Sequence, residues 1–204
     1  MKTAFASKQI SLFEVSPCYT ITSNAQARNA YGAAASEIVC AALELNPIAI
    51  DGSKEVCFDA SRHGQNYEIK SAHQKAKIVL YDWRMKKEHR WMETTGQTLR
   101  YAILAHNLKQ HRDGATLIDA LVTNGLKVIV VKASVIHREA FQLKLNLVKE
   151  DASKGPRHGY SRKGYSDGYR NLPCEHILKL CRMRSERTFQ LYGKQYTIAV
   201  HHLA

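Results

Sequence analysis

"FDASRHGQNYEIKSAH", residues 58–73, is the stretch on which the reading of this chain turns. It contains a turn-forming segment, "SRHGQ", between two runs, "EVCFDA" and "YEIKSAH", that are rich in β-branched and aromatic residues and alternate in polarity. That pattern predicts two antiparallel strands. Strand side chains alternate faces, so Glu68 and Lys70 share one face while Tyr67 and Ile69 share the other. Pairing of the two runs brings Asp59 towards Glu68, and two carboxylates and a lysine then converge on one patch. The bland alternative is an amphipathic hairpin whose solvated face carries charge.

Upstream, Ser23 or Asn24 is placed to cap a helix through "AQARNAYGAAASEIVCAALEL", in which Ala27, Tyr31, Ala34, Ile38, Ala42 and Leu45 recur at helical spacing before Pro47 stops it. "IAI", a "DGSK" turn and "EVCFDA" complete a three-stranded antiparallel meander with "YEIKSAH", and "AKIVLYDWRM" is expected to extend that sheet. Leucine and alanine content favours helix for "TLRYAILAHNLKQ". "GATLIDALVTNG" reads as a short helix closed by Gly125, and "LKVIVVKA" as a buried strand. The resulting order is α-β-β-β-α-β. Beyond it, "SVIHREAFQLKLNLVKE" is expected to be an amphipathic helix capped by Ser134, residues 151–173 a long basic loop, and the end a hairpin turning at Gly193. One domain over 1–204 is expected, with its core over about 24–132 and a C-terminal extension over 133–204.

The 204 residues carry 30 Lys and Arg against 18 Asp and Glu, a formal charge of +12, which points to a polyanionic partner. Five cysteines without a C-x-x-C pair suit reduced thiols better than a disulfide framework. Lys8 interrupts the apolar start before a secretory core forms, and no apolar run reaches membrane-spanning length. A cytoplasmic protein with no membrane partner is the expectation.

Paired carboxylates with a neighbouring backbone carbonyl suit a hard divalent cation, since Mg²⁺ takes oxygen ligands and keeps several waters. The spacing D-x₈-E-x-K, read on a meander behind a helix that bears Glu37, resembles the PD-(D/E)xK nuclease superfamily over about residues 24–132. Phe58 stands where the name-giving proline would be. The resemblance implies a restriction-endonuclease-like α/β fold with a mixed central sheet flanked by helices. It also implies Mg²⁺, with Mn²⁺ as substitute, held by Asp59, Glu68 and the Ile69 carbonyl. Lys70 would assist the attacking water, with Glu37 as auxiliary acid. The expected activity is that of a Mg²⁺-dependent endonuclease on double-stranded DNA, working as a homodimer. A structure-selective nuclease for junctions or flaps, and a non-catalytic nucleic-acid-binding module on a degenerate nuclease fold, are the alternatives.

Candidate DNA contacts follow from residue chemistry. His73, Gln74 and Lys75 end the catalytic strand, and Arg84, Lys86 and Lys87 lie between Trp83 and Trp91. In "KGPRHGYSRKGYSDGYRN", Arg157, Arg162, Lys163 and Arg170 interleave with Tyr160, Tyr165 and Tyr169, which suits phosphate neutralisation and stacking. Cys174, His176 and Cys181 match no standard zinc spacing.

Overall fold

The computed structural model describes residues 21, 23–48, 57–109, 111–147 and 168–203. Helix α1, Asn24–Leu43, starts from a capping box in which Ser23 Oγ accepts from the Gln26 N–H and the Gln26 side chain accepts from the Ser23 N–H. It ends where Glu44 takes a left-handed conformation, φ 53°. Ala34, Ile38, Ala42 and Leu45 are buried as the spacing predicts.

A meander follows with other bounds than expected: beyond Ile48 the "IAI" strand and the "DGSK" turn lie outside the described residues, and of "EVCFDA" only Ala60 is strand. Strand β1, Asn46–Pro47, pairs antiparallel with β2, Ala60–Arg62, and β2 pairs antiparallel with β3, Gln65–His73. Consecutive positive φ values at His63 (48°) and Gly64 (76°) make the tight turn that matches the twist of the two strands. Strand β4, Lys77–Tyr81, does not extend this sheet. It starts a second, three-stranded sheet, and the chain turns at once into helix α2, Asp82–Thr95.

The largest correction concerns residues 99–106. Where helix was expected, Leu99–His106 form strand β5, parallel to β3 and antiparallel to β6, Lys127–Lys132. Both faces of β5 are covered: Ala102 and Leu104 pack on the α1 side, Tyr101, Ile103 and Ala105 on the α2 side. A strand buried on both faces loses its period-two signal, which is why composition misleads here.

Helix α3, Leu117–Thr123, precedes Gly125 (φ 72°), as expected. Helix α4 spans Ala133–Phe141, and Lys132 rather than Ser134 occupies its N-cap position. It is shorter than predicted because "LKLNL" alternates with period two, and Asn146–Leu147 form β7 against β8, Gly168–Pro173. The last residues of the expected loop are thus a strand, paired with β4. Helix α5, Cys174–Leu180, leads to the hairpin of β9, Met183–Leu191, and β10, Lys194–His202, which turns at Tyr192 and Gly193.

The main sheet is seven-stranded and mixed, in the order β1-β2-β3-β5-β6-β10-β9. Strand β10 joins it parallel to β6, so the C-terminal hairpin is part of the central sheet. One face packs against α1 and α3 through Ile38, Val39, Leu121 and Val128; the other packs against α2, α4, α5 and the small sheet through Met85, Ile136, Leu172 and Ile177. Among the described residues no helix is long and apolar enough to cross a membrane.

Candidate active site

The site is built where β2 ends and β3 continues past it. The Asp59 N–H donates to the Tyr67 carbonyl (2.8 Å), which extends the β2–β3 register by one bond. Its carboxylate Oδ2 then accepts from the Ile69 N–H (2.7 Å). The N–H and C=O of an extended residue point to the same strand edge, so the Ile69 carbonyl points to the edge that Asp59 occupies.

Glu68 lies on the α2 face and is only 2% exposed. One of its oxygens accepts from Lys70 Nζ, and the other from the Arg84 guanidinium (2.8 Å). Burial pushes the Glu68 carboxyl pKa up; Lys70 and Arg84 pull it down, and Asp59 adds to the rise, so it stays above the usual value. Asp59 and Glu68 therefore act on each other as like charges.

Behind this edge lies a closed network that sequence reasoning missed. Arg84 Nε donates to Glu88 Oε1 (2.9 Å), and Glu88 Oε2 accepts from the Tyr101 hydroxyl (2.7 Å) and faces His137 Nε2 (2.9 Å). Glu88 is fully buried. Burial alone would raise its pKa, but the bonds from His137 and Tyr101 and the charges of His137 and Arg84 outweigh that and hold it below the usual value. Burial also works against the Arg84 cation, and the Glu68 and Glu88 carboxylates overcome it and raise its pKa. The one sequence signal was the i,i+4 spacing of Arg84 and Glu88, visible only once residues 82–95 are read as helix.

Glu37, the expected auxiliary acid, accepts from the Tyr192 hydroxyl (2.5 Å) at the tip of the β9–β10 hairpin. One turn along α1, the Cys40 thiol is pushed up to about 11 by burial and then by the charges of Asp59 and Glu37. The helix acid is thus within electrostatic reach of a group that also feels Asp59.

Among the described residues no group of three or more His, Cys, Asp or Glu side chains converges on one point. A cation at this edge would have to be held by Asp59, Glu68 and the Ile69 carbonyl. Each Glu68 oxygen keeps a lone pair beyond the bond it makes, and the donor set is all hard oxygen. That set fits an ion that completes its shell with water and phosphate oxygen.

The candidate DNA contacts fall into separate places. His73 Nδ1 accepts from the Lys75 N–H (3.2 Å), which leaves Nε2 to donate to the Asn107 carbonyl (3.2 Å), and Gln74 donates to the Gly125 carbonyl (2.8 Å). Lys75 and Lys86 are exposed, and Lys87 is half-buried. Trp91 packs on Phe58 with ring centroids 5.2 Å apart. Tyr169 stacks near Tyr81 across β8 and β4 (6.2 Å). Arg170 is built into the fold: Nε donates to Asp82 (2.9 Å), Nη1 donates to the Phe141 and Leu143 carbonyls, and the guanidinium lies 5.0 Å from the Phe141 ring centroid. Arg157, Tyr160, Arg162, Lys163 and Tyr165 lie outside the described residues. Cys174 and Cys181 are both pushed up to about 11, by burial first, and His176 pairs with Glu139 (2.9 Å); among the described residues the three form no metal-holding group. No family model, curated protein or solved structure matches the chain.

Proposed function

We propose that this chain is a Mg²⁺-dependent endodeoxyribonuclease of the PD-(D/E)xK kind that hydrolyses phosphodiester bonds in double-stranded DNA and acts as a homodimer. The observation that carries the reading is the Asp59 carboxylate seated on the Ile69 N–H, beside the Glu68–Lys70 pair. It sets two carboxylates, a carbonyl-bearing edge and a lysine at one end of β2. With the short β1 and the inserted β4 and α2 set aside, the order α1, β2, β3, β5, α3, β6 supports it, as does the charge of +12.

In this reading Asp59 and Glu68 bind the cation. A bound Mg²⁺ makes water more acidic and offsets charge developing on the phosphate. Lys70, a third exposed at its side chain, orients the attacking water from the solvent side. Arg84 holds the Glu68 oxygen that Lys70 does not and so restrains the carboxylate.

One observation favours the non-catalytic alternative. Both Glu68 oxygens already accept from cations, which is also how a purely structural ion pair would look. Supercoiled plasmid separates the two. The nuclease reading expects nicked and linear products with Mg²⁺ or Mn²⁺, none with EDTA, and binding without turnover in Ca²⁺. Binding with intact plasmid under every ion leaves the alternative.

A further inference from the structure

The opposite face of the sheet, at the end where β5 begins, carries a second concentration of charge. Register sets it up: Arg100 on β5 pairs with Lys132 on β6, and His202 on β10 pairs with Val130 two residues away. Alternation therefore puts Arg100, Lys132 and His202 on one face with Val130, and Arg187 of β9, opposite Ile198, shares that face. Glu68 pairs with Tyr101, so Arg100 points away from the acidic edge.

Arg100, Lys132 and His202, with Val130 and Leu203, line a cavity of about 230 Å³. The His202 imidazole is held below its ordinary pKa by burial first and then by the charges of Arg187 and Arg100. Ser185 Oγ lies 3.5 Å from His202 Nε2, and Met183 is its cross-strand neighbour. Arg100 spends Nε on the Gln65 side chain (3.1 Å). Lys132 and Arg187 make no ion pair among the described residues. Cations facing one cavity repel each other, and among the described residues no carboxylate pairs with Lys132, Arg100 or Arg187, so an anion that bridges them removes that cost. Arginine supplies a planar fork and lysine a point charge, a pairing suited to tetrahedral oxyanions.

We propose that Arg100, Lys132 and His202 form an oxyanion pocket that takes a phosphate group, on the face of the sheet opposite Glu68. The ligand is a backbone phosphate of nucleic acid or a free phosphate; the chemistry is the same for both. The pocket stands independently of the nuclease reading, because none of its residues belongs to that site.

The test follows the His202 ring by NMR in the whole protein, titrated with inorganic phosphate and separately with a short DNA duplex. Saturable movement of the ring is expected, with about tenfold weaker binding in Lys132→Gln and in Arg100→Gln, and parental binding in Lys179→Gln, a cation on α5 outside the pocket. Lys132 is exposed, so its variant keeps the test valid even where Arg100→Gln fails to fold. Movement with the duplex, and a log–log salt slope reduced by roughly 0.9 in Lys132→Gln, assigns the site to backbone phosphate. Movement with inorganic phosphate alone, with duplex affinity and slope unchanged in the variants, assigns it to free phosphate. A His202 ring that moves with neither probe, or equally in Lys132→Gln and the parent, overturns the proposal.

Discussion

Glu68 and Glu88 are two buried glutamates that share one arginine, and they are held in opposite ways. Glu88 is surrounded by donors: Arg84, Tyr101 and His137 reach it, and its pKa falls. Glu68 has Lys70 on one oxygen and Arg84 on the other, yet burial first and then the Asp59 charge keep its pKa raised. A carboxylate whose environment is fully compensated is part of the frame. One that is buried beside another carboxylate is held less firmly as the anion, and in the proposed reading a divalent cation would supply the missing positive charge. The interior network fixes the geometry behind that edge.

Activity should break the comparison most sharply. Asp59→Ala and Lys70→Ala are each expected to lower Mg²⁺-dependent plasmid cleavage by about 100-fold or more, and the double variant should be hardly slower than either single one, because such groups act as a unit. Glu37→Ala should be milder. Circular dichroism and DNA binding should stay close to parental in all of these. Equal effects at Glu37 and Asp59 would mean that the helix acid is a full member of the site.

Stability should invert the ranking. Glu88→Ala strands Arg84, Tyr101 and His137 in the interior and is expected to cost about 3 kcal/mol or more in urea unfolding. Glu68→Ala removes a like-charge conflict with Asp59 along with two favourable contacts, so its cost should be clearly smaller. Next in size comes Arg170→Ala, expected to cost about 2 kcal/mol because Asp82 loses its charged partner and two carbonyls lose a donor. Its effect on DNA affinity should be minor beside that.

Acid titration sharpens the comparison with the smallest effects. The Glu88 pKa is depressed in the folded state, so its contribution is present above about 4.5 and is lost as pH falls through the folded value. The Glu68 pKa is raised, so its contribution is fully present below 4.5 and is lost as pH rises through the folded value. Relative to the parent, Glu88→Gln should recover in acid, and Glu68→Gln should recover as pH rises. Slopes of the same sign for both variants would contradict the assignment of their environments.

Much of the acidic edge was legible in the sequence because its determinants are local. The β2–β3 turn carries its own signal in His63-Gly64, and alternation alone puts Glu68 and Lys70 on one face. Helix α1 announces itself through Ser23 and a buried stripe at helical spacing. Strand β5 hid because both of its faces are covered, so "YAILA" has no period to read. Helix α2 hid behind its charges: Asp82, Met85 and Glu88 are its buried residues, and two of the three are acidic. The bond from Glu88 to His137 joins residues 49 positions apart, a pairing that only the packing of α2 against α4 creates. Arg170 was read by the company it keeps in sequence, among Gly, Ser and basic residues, whereas β-pairing with β4 draws it into the fold.

In the proposed reading the carboxylate at the edge, Glu68, does chemistry and the one behind it, Glu88, does not. Cleavage of supercoiled plasmid in Mg²⁺ by Glu68→Gln tests this most directly, since the substitution keeps the shape of the side chain and removes its charge. The parent should nick and linearise the plasmid, and Glu68→Gln, folded and still binding DNA, should be slower by about 100-fold or more. A parent that leaves the plasmid supercoiled in both Mg²⁺ and Mn²⁺, or a Glu68→Gln variant that cuts at the parental rate, would contradict it.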